Sequence, residues 1–256
     1  MPDSELGLTA KTLTLISHKL RTPLSIINGY SEAVMSQNSK EKFSPFTSKA
    51  LEEIHKQGGR MSQLIDKLGA FSQVTSADPA KLEKHSVELK ALIKECAAKA
   101  IALESDETAV TPPSLDEEQA KRGTFIEIDC STQLHLTVHE PFLRFSIEEL
   151  LSNAIKFNNK MEKIIKVQGT NHGNSISVSV RDYGVGIRPQ DVGHIFEPFY
   201  QVDDYFTGQV SGWGLGLPMV KRTAELHGGS VSVVSDRGLG SIFTINFPIV
   251  TATPKN

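Results

Sequence analysis

Residues Ile16 to Val34 read ISHKLRTPLSIINGYSEAV, and their apolar residues return in sevens. Leu6, Leu13, Leu20, Ile27 and Val34 fall on one heptad position, and Thr9, Ile16, Pro23 and Tyr30 fall three places further on. This two-position seam predicts a helix buried along one stripe. His18 lies two residues beyond Ile16, on the face turned away from the seam, beside Lys19, Arg21, Thr22 and Ser25. A helix holds an imidazole on that face in water rather than in a core. Pro23 removes a backbone donor and crowds the preceding turn, so a bend or loosening is expected just after His18.

Outward from this stretch, the first helix is expected from about Leu6 to about Ser36, with the polar residues Gln37 to Lys42 and Pro45 forming the loop that ends it. In a second helix Leu51, Ile54, Gly58, Met61, Ile65 and Leu68 alternate steps of three and four. Gly58 and Gly59 sit mid-seam, each weakening the helix by about 1 kcal/mol relative to Ala, which predicts a soft or closely packed spot. A hairpin of two such helices has more apolar face than one partner covers, so a homodimeric four-helix bundle is expected. A plain coiled-coil dimeriser has the same periodicity.

The helical pattern stops around Ser76 to Pro79 and alternating strands and helices begin, placing a boundary between residues 1–76 and 77–256. The second part predicts strands at His85–Leu89, Thr124–Ile128, Leu134–Val138, Ile164–Gly169, Ser175–Arg181, Val231–Ser235 and Ile242–Phe247. Helices are expected over Leu89–Leu103, Pro141–Asn158 and Leu215–Leu226, with a short one near Asp191–Phe196. Phe142, Phe145, Leu150, Ala154 and Phe157 form the expected apolar side of the Pro141–Asn158 helix. The acidic stretch Glu104–Gly123 reads as a surface insertion. The fold class is α+β in two domains, a helical hairpin followed by helices layered on one face of a mostly antiparallel sheet.

With 39% hydrophobic and 22% charged residues among 256, the chain has the composition of a soluble globular protein. A net charge of -3 offers no basic field for nucleic acid. Cys96 and Cys130 lack metal-ligand spacing and read as buried or reduced thiols of a cytosolic compartment. The sequence has no apolar run of membrane-span length, so no membrane contact is expected within the chain, and a cytoplasmic location follows, alone or within a longer receptor.

Four groups in the second part carry chemistry. Glu149 and Asn153 lie four apart on one helix face as hard oxygen ligands suited to Mg²⁺ or its water, and Lys156, Phe157 and Asn158 follow, the lysine as a point charge for phosphate. Asp182, Gly184, Gly186 and Ile187 follow a strand; the glycines let backbone approach a flat ligand, and the carboxylate can accept from an exocyclic amine. Phe196, Glu197, Pro198, Phe199 and Tyr200 place two aromatic pairs around a proline. Gly212, Gly214, Leu215, Gly216 and Leu217 run into a helix start, where free amides and the helix dipole favour polyphosphate. Each group alone is commonplace: a solvated helix face, a strand-to-helix turn or a glycine-rich turn produces the same letters.

In their order, these groups resemble the boxes of the ATP-binding domain shared by histidine kinases, gyrase-type topoisomerases, heat-shock chaperones and mismatch-repair ATPases (the Bergerat-type fold), with Gly238, Gly240, Ser241 and Phe243 matching its closing strands. His18, Leu20, Arg21, Thr22, Pro23 and Leu24 resemble the phosphoacceptor box of sensor histidine kinases. Together they identify the chain as similar to a sensor histidine kinase core. The resemblance implies that ATP and Mg²⁺ are the cofactors and that Asn153, with Glu149, meets the metal. Lys156 then contacts phosphate, Asp182 binds the adenine amino group, Gly184 and Gly186 admit the base, and Gly212, Gly214 and Gly216 wrap the triphosphate. It further implies that His18 takes the γ-phosphoryl group and passes it to an aspartate on a response-regulator receiver domain.

Two departures matter. Lys19 stands where most of the family has an acidic neighbour that orients the imidazole and accepts its proton, which brings in an alternative: a degenerate kinase serving as scaffold or as response-regulator phosphatase, with Thr22 aligning water. Glu149 stands where many kinases have Asn and the gyrase and chaperone relatives have a water-activating Glu.

Overall fold

The computed structural model describes residues 3–37, 43–103, 123–202 and 212–249; the side chains of residues 3–16, 18, 19 and 37 lie outside that description. The chain divides into two compact units, residues 1–76 and 77–256.

The first unit is a hairpin of α1 (Asp3–Gln37) and α2 (Pro45–Ser76). Helix α1 runs through Pro23 without interruption. Pro45, expected in the loop, is instead the first residue of α2, where its missing N–H is no loss and its fixed φ suits the helix. Ser44 before it accepts a hydrogen bond at Oγ from the Thr47 amide at 3.1 Å, a sound N-cap. Leu24 and Ser31 are buried inside the hairpin, whereas the seam residues Leu20, Ile27 and Tyr30 remain exposed, Tyr30 by 72%. At Leu20, Ile27 and Tyr30 the sevenfold stripe is therefore left uncovered by α2. On α2 the seam divides: Gly58 and Ile65 are buried, while Ile54 and Met61 are exposed. Gly58 is the closely packed spot, because a Cβ there would overlap Asn28. Asn28 donates from Nδ2 to Ser62 Oγ at 3.2 Å, and Ser31 Oγ lies 3.2 Å from His55 Nδ1, making a polar layer mid-hairpin.

The second unit opens with a 3₁₀ turn at Pro79–Lys81, followed by β1 (His85–Glu88) and α3 (Leu89–Ala102). After the segment Glu104–Arg122, which lies outside the described residues, come β2 (Thr124–Cys130), β3 (His135–Val138), α4 (Glu140–Lys156), β4 (Lys163–Asn171) and β5 (Ser175–Asp182). Then follow a single turn α5 (Pro189–Val192), α6 (Gly216–Leu226), β6 (Ser230–Asp236) and β7 (Gly240–Pro248). The main sheet has five strands in the order β2-β4-β5-β7-β6, and β1 pairs with β3 in a separate ribbon. Only β2 and β4 run parallel, the pair whose connection passes through α4, as a parallel crossover requires.

The core lies between one sheet face and helices α3, α4 and α6. Ile165, Val167, Val178, Val180 and Ile245 point inward from the central strands against Ile93, Leu143, Ile147, Leu151 and Val220. The apolar side expected on α4 is rotated: Leu143, Ile147, Leu150, Leu151, Ala154 and Ile155 are buried, while Phe142, Phe145 and Phe157 are only half-buried. The face fixed by steps of three and four from Leu143 wins, and Phe142 packs instead on His139 at the helix entrance, ring centroids 4.2 Å apart. Cys96 and Cys130 are free and buried, and burial pushes the Cys96 thiol up to about 12.

Candidate nucleotide site

The site is built where the end of α4, the loop after β5 and the start of α6 meet. Asp182 ends β5 with its side chain buried, and the Gly184 amide donates to its Oδ1 at 2.8 Å. Burial pushes this carboxyl above its ordinary range, against the lowering effect of backbone hydrogen bonds from Gly184 and Ser241. Gly184 lies flush on the end of α4: a Cβ there would overlap the Phe157 carbonyl oxygen, which also accepts from the Val185 amide at 3.1 Å. Gly186 has φ 66 and packs on the Asp236 carbonyl, and Ile187 donates its amide to Ser235 Oγ at 2.8 Å. The loop is thus clamped between α4 and the β6–β7 turn, and only glycine fits its two contact points.

Along α4, Glu149 reaches the first residue of α6: a Cβ on Gly216 would overlap its Oε2. One turn on is Asn153, half-buried, and after it Lys156, whose Nζ lies 2.6 Å from where a Cβ on Gly212 would be and 4.7 Å from the Phe157 ring centroid. Gly214 has φ 65 and sits against the backbone of Phe199, 2.6 Å from where its own Cβ would be to the Phe199 carbonyl carbon. Asn158 is buried, accepts at Oδ1 from the Lys160 amide at 3.2 Å, and has no hydrogen-bond partner for Nδ2.

Glu149, Lys156, Phe157, Asp182, Gly184, Gly186, Ile187, Gly212, Gly214 and Gly216 therefore gather along one edge, although they come from three separated stretches. Leu215 offers only backbone to a ligand, since its side chain is 1% exposed. His18, Lys19 and Thr22 belong to α1 of the other unit; Thr22 is exposed, and the side-chain orientation expected for His18 lies outside the described residues. Sequence reasoning picked out Phe199 and Tyr200 only as aromatics around a proline, and missed both the link from Tyr200 to Asp191 and Arg188 and the positive φ of Phe199, 66°. Neither the link nor the conformation has a periodic or compositional signal.

The edge fits a nucleotide. It combines backbone planes bared by glycines, a buried carboxylate acceptor, an unpaired buried amide and a helix N-terminus. No cluster of three or more His, Cys, Asp or Glu that could hold a metal ion occurs among the described residues. In class, the protein is a helical hairpin joined to an α/β nucleotide-binding module.

Comparison with known families agrees with this class. Residues 138–251 match the family described as histidine kinase-, DNA gyrase B-, and HSP90-like ATPase, and residues 10–77 match the His Kinase A (phospho-acceptor) domain. These are the two modules of a sensor histidine kinase catalytic core, and the nucleotide module is of ATP-binding type. The phosphate regulon sensor protein PhoR of Pseudomonas aeruginosa is 30% identical over 232 residues, 91% of this chain and 48% of the relative. Sensor histidine kinase YkoH of Bacillus subtilis is 31% identical over 90% of this chain and 46% of its own length. The chain spans about half the length of these relatives. In fold it is similar to full-length ShkA in complex with AMPPNP, with TM-score 0.70 and 24% identity over 94% of this chain and 46% of that one. It is also similar to Acinetobacter baumannii histidine kinase AdeS, with TM-score 0.59 and 20% identity over 91% and 98%.

Proposed function

We propose that this chain is the kinase core of a two-component sensor, in which His18 takes the γ-phosphoryl group of ATP and a response-regulator receiver aspartate takes it from His18. The observation that supports this best is the Asp182–Gly184–Phe157 cradle, a buried acceptor beside a glycine face too tight for any Cβ, in a chain that also carries His18 on a phosphoacceptor-type hairpin. ATP supplies the phosphoryl group.

Asp182 accepts from the adenine amino group, and the face of Gly184 and Gly186 gives the ring room. Lys156 and the free amides at the start of α6 neutralise the phosphates. Asn153 and Glu149 offer one oxygen each toward Mg²⁺. A ring nitrogen of His18 bonds to the γ-phosphorus as the bridging oxygen leaves with ADP, and catalysis rests on positioning and charge neutralisation. Residues 1–76 serve as the dimerisation and phosphotransfer module and residues 77–256 as the catalytic module, on the cytoplasmic side of the cell. The exposed Leu20, Ile27, Tyr30, Ile54 and Met61 support a homodimer, since a second hairpin would cover them.

Incubation with γ-labelled ATP tests the reading: wild type should carry acid-labile, alkali-stable label and His18→Ala none. Equal labelling of the two would refute it. Lys19 favours a second reading, phospho-aspartate phosphatase with Thr22 aligning water. That reading predicts unlabelled wild type that still removes phosphate from a phosphorylated receiver domain.

A further inference from the structure

Phe199 is the one non-glycine residue with positive φ among the described residues, and it lies 57% exposed, with no core packing to explain the conformation. Such a backbone persists only where its surroundings over-determine it. Here they do. Phe199 donates its amide to the Gly214 carbonyl at 2.8 Å, and Gly214, itself at φ 65, packs onto the Phe199 backbone. One residue on, the Tyr200 amide closes a turn on the Glu197 carbonyl at 3.2 Å, while its hydroxyl donates to Asp191 Oδ1 at 2.8 Å. Asp191 is only 3% exposed and is fixed from its other side by Arg188 Nε at 2.6 Å. The Arg188 hydrogen bond, seconded by the Tyr200 hydroxyl, holds its carboxyl below the usual range, so it stays an acceptor at neutral pH. The chain of contacts runs from Arg188 to Asp191, to Tyr200, to Phe199, to Gly214, and Gly214 is two residues before the first turn of α6.

We infer that Asp191 and Tyr200 are positioning residues for the phosphate side of the nucleotide: the buried carboxylate holds the tyrosine hydroxyl, and so holds the seat on which Gly214 presents the amides at the start of α6. Neither residue touches the nucleotide. The adenine side is organised independently, by Asp182, Gly184 and the end of α4. The inference rests on the nucleotide reading above and adds a direction to it. Loss of the Tyr200 hydroxyl weakens ligands that carry phosphate and spares those that do not.

The test is Tyr200→Phe, which keeps the ring and removes one oxygen, with ADP and adenosine titrated against wild type and variant. The chain has a single tryptophan, Trp213, between Gly212 and Gly214, so its indole N–H gives one isolated NMR resonance to follow. ADP affinity should fall roughly fivefold or more, about 1 kcal/mol by the usual conversion, and adenosine affinity should change less than twofold. His194→Ala is the control. It removes the ring whose centroid lies 5.5 Å from that of Tyr200, tilted by 33°, but leaves the hydroxyl on Asp191, and should keep wild-type ADP affinity. ADP and adenosine weakened alike, or ADP bound by Tyr200→Phe as by wild type, overturns the positioning role alone. A wild type that binds neither ligand overturns the nucleotide reading and this inference with it. Should Tyr200→Phe melt early, Asp191→Ala, which removes the acceptor and keeps the tyrosine, must weaken ADP more than adenosine for the inference to stand.

Discussion

Glu149 of α4 lies against Gly216, the first residue of α6, so closely that a methyl group on Gly216 would overlap the carboxylate. A carboxylate at a helix N-terminus is favourably placed electrostatically, and one beside the amides proposed to take phosphate is also placed to draw a proton from water. Glu149→Gln keeps the shape and removes the base. It should lower basal phosphate release from ATP by at least about tenfold, within the range of general-base effects, while ADP binding persists. Unchanged release in a phosphate assay would assign the carboxylate to structure.

Asp182 is the acceptor most sensitive to change. Asp182→Asn retains an oxygen for the Gly184 amide but loses the charged acceptor, a bond worth about 1.5–3 kcal/mol. ATP affinity, read from Trp213 fluorescence, should drop about 10- to 150-fold. Because burial already pushes the carboxyl up, the melting temperature should hold or rise. A fall in both would mean that the residue serves the fold rather than the ligand.

In the hairpin, neighbouring glycines should respond with opposite signs. Gly59 has nothing within 4 Å of an added Cβ, so Gly59→Ala should stabilise the helix by about 1 kcal/mol. Gly58→Ala gains the same propensity but displaces the Asn28 side chain, and overpacking of about 1–3 kcal/mol leaves a net loss. Thermal melts of the two variants decide it.

His227 makes the fold acid-sensitive. Its Nε2 accepts from the His139 amide at 2.9 Å, and its Nδ1 lies 2.7 Å from the Thr223 carbonyl, which fixes the neutral ring with the proton on Nδ1. Burial, with the charges of Lys84 and His139, lowers its pKa below the ordinary 6.5, although the Thr223 carbonyl opposes this. The unfolded chain therefore binds the proton first on acidification, and stability falls as pH drops below about 6.5. Melting temperature should decline from pH 7.5 to 5.5, and His227→Gln should flatten that decline. An equal slope in the variant places the acid sensitivity elsewhere.

At the phosphoacceptor, Lys19→Glu restores the acidic neighbour that most of the family carries. Autophosphorylation of His18 should rise, because a carboxylate accepts the imidazole proton and favours the imidazolium that forms. Equal or lower phosphohistidine yield in a matched assay refutes this account of Lys19.

The sequence by itself determined the elements whose signals are local. Heptads between Leu6 and Val34 specify α1, alternation specifies strands such as Ser175–Asp182, and the glycines of residues 184–186 and 212–216 mark places where backbone must come close to something. What each glycine approaches was decided only by the tertiary structure, because Gly184 meets Phe157, Gly216 meets Glu149 and Gly214 meets Phe199 across gaps of sequence that no local pattern spans. The same holds for the rotation of α4 toward Leu143 and for the exposure of Leu20, Ile27 and Tyr30 on α1, since a stripe shows that a surface is apolar and the packed fold chooses which neighbour covers it. No spacing reveals that Arg188, Asp191 and Tyr200 meet; a half-buried ion pair that seats a strained backbone exists only once the chain has folded around it.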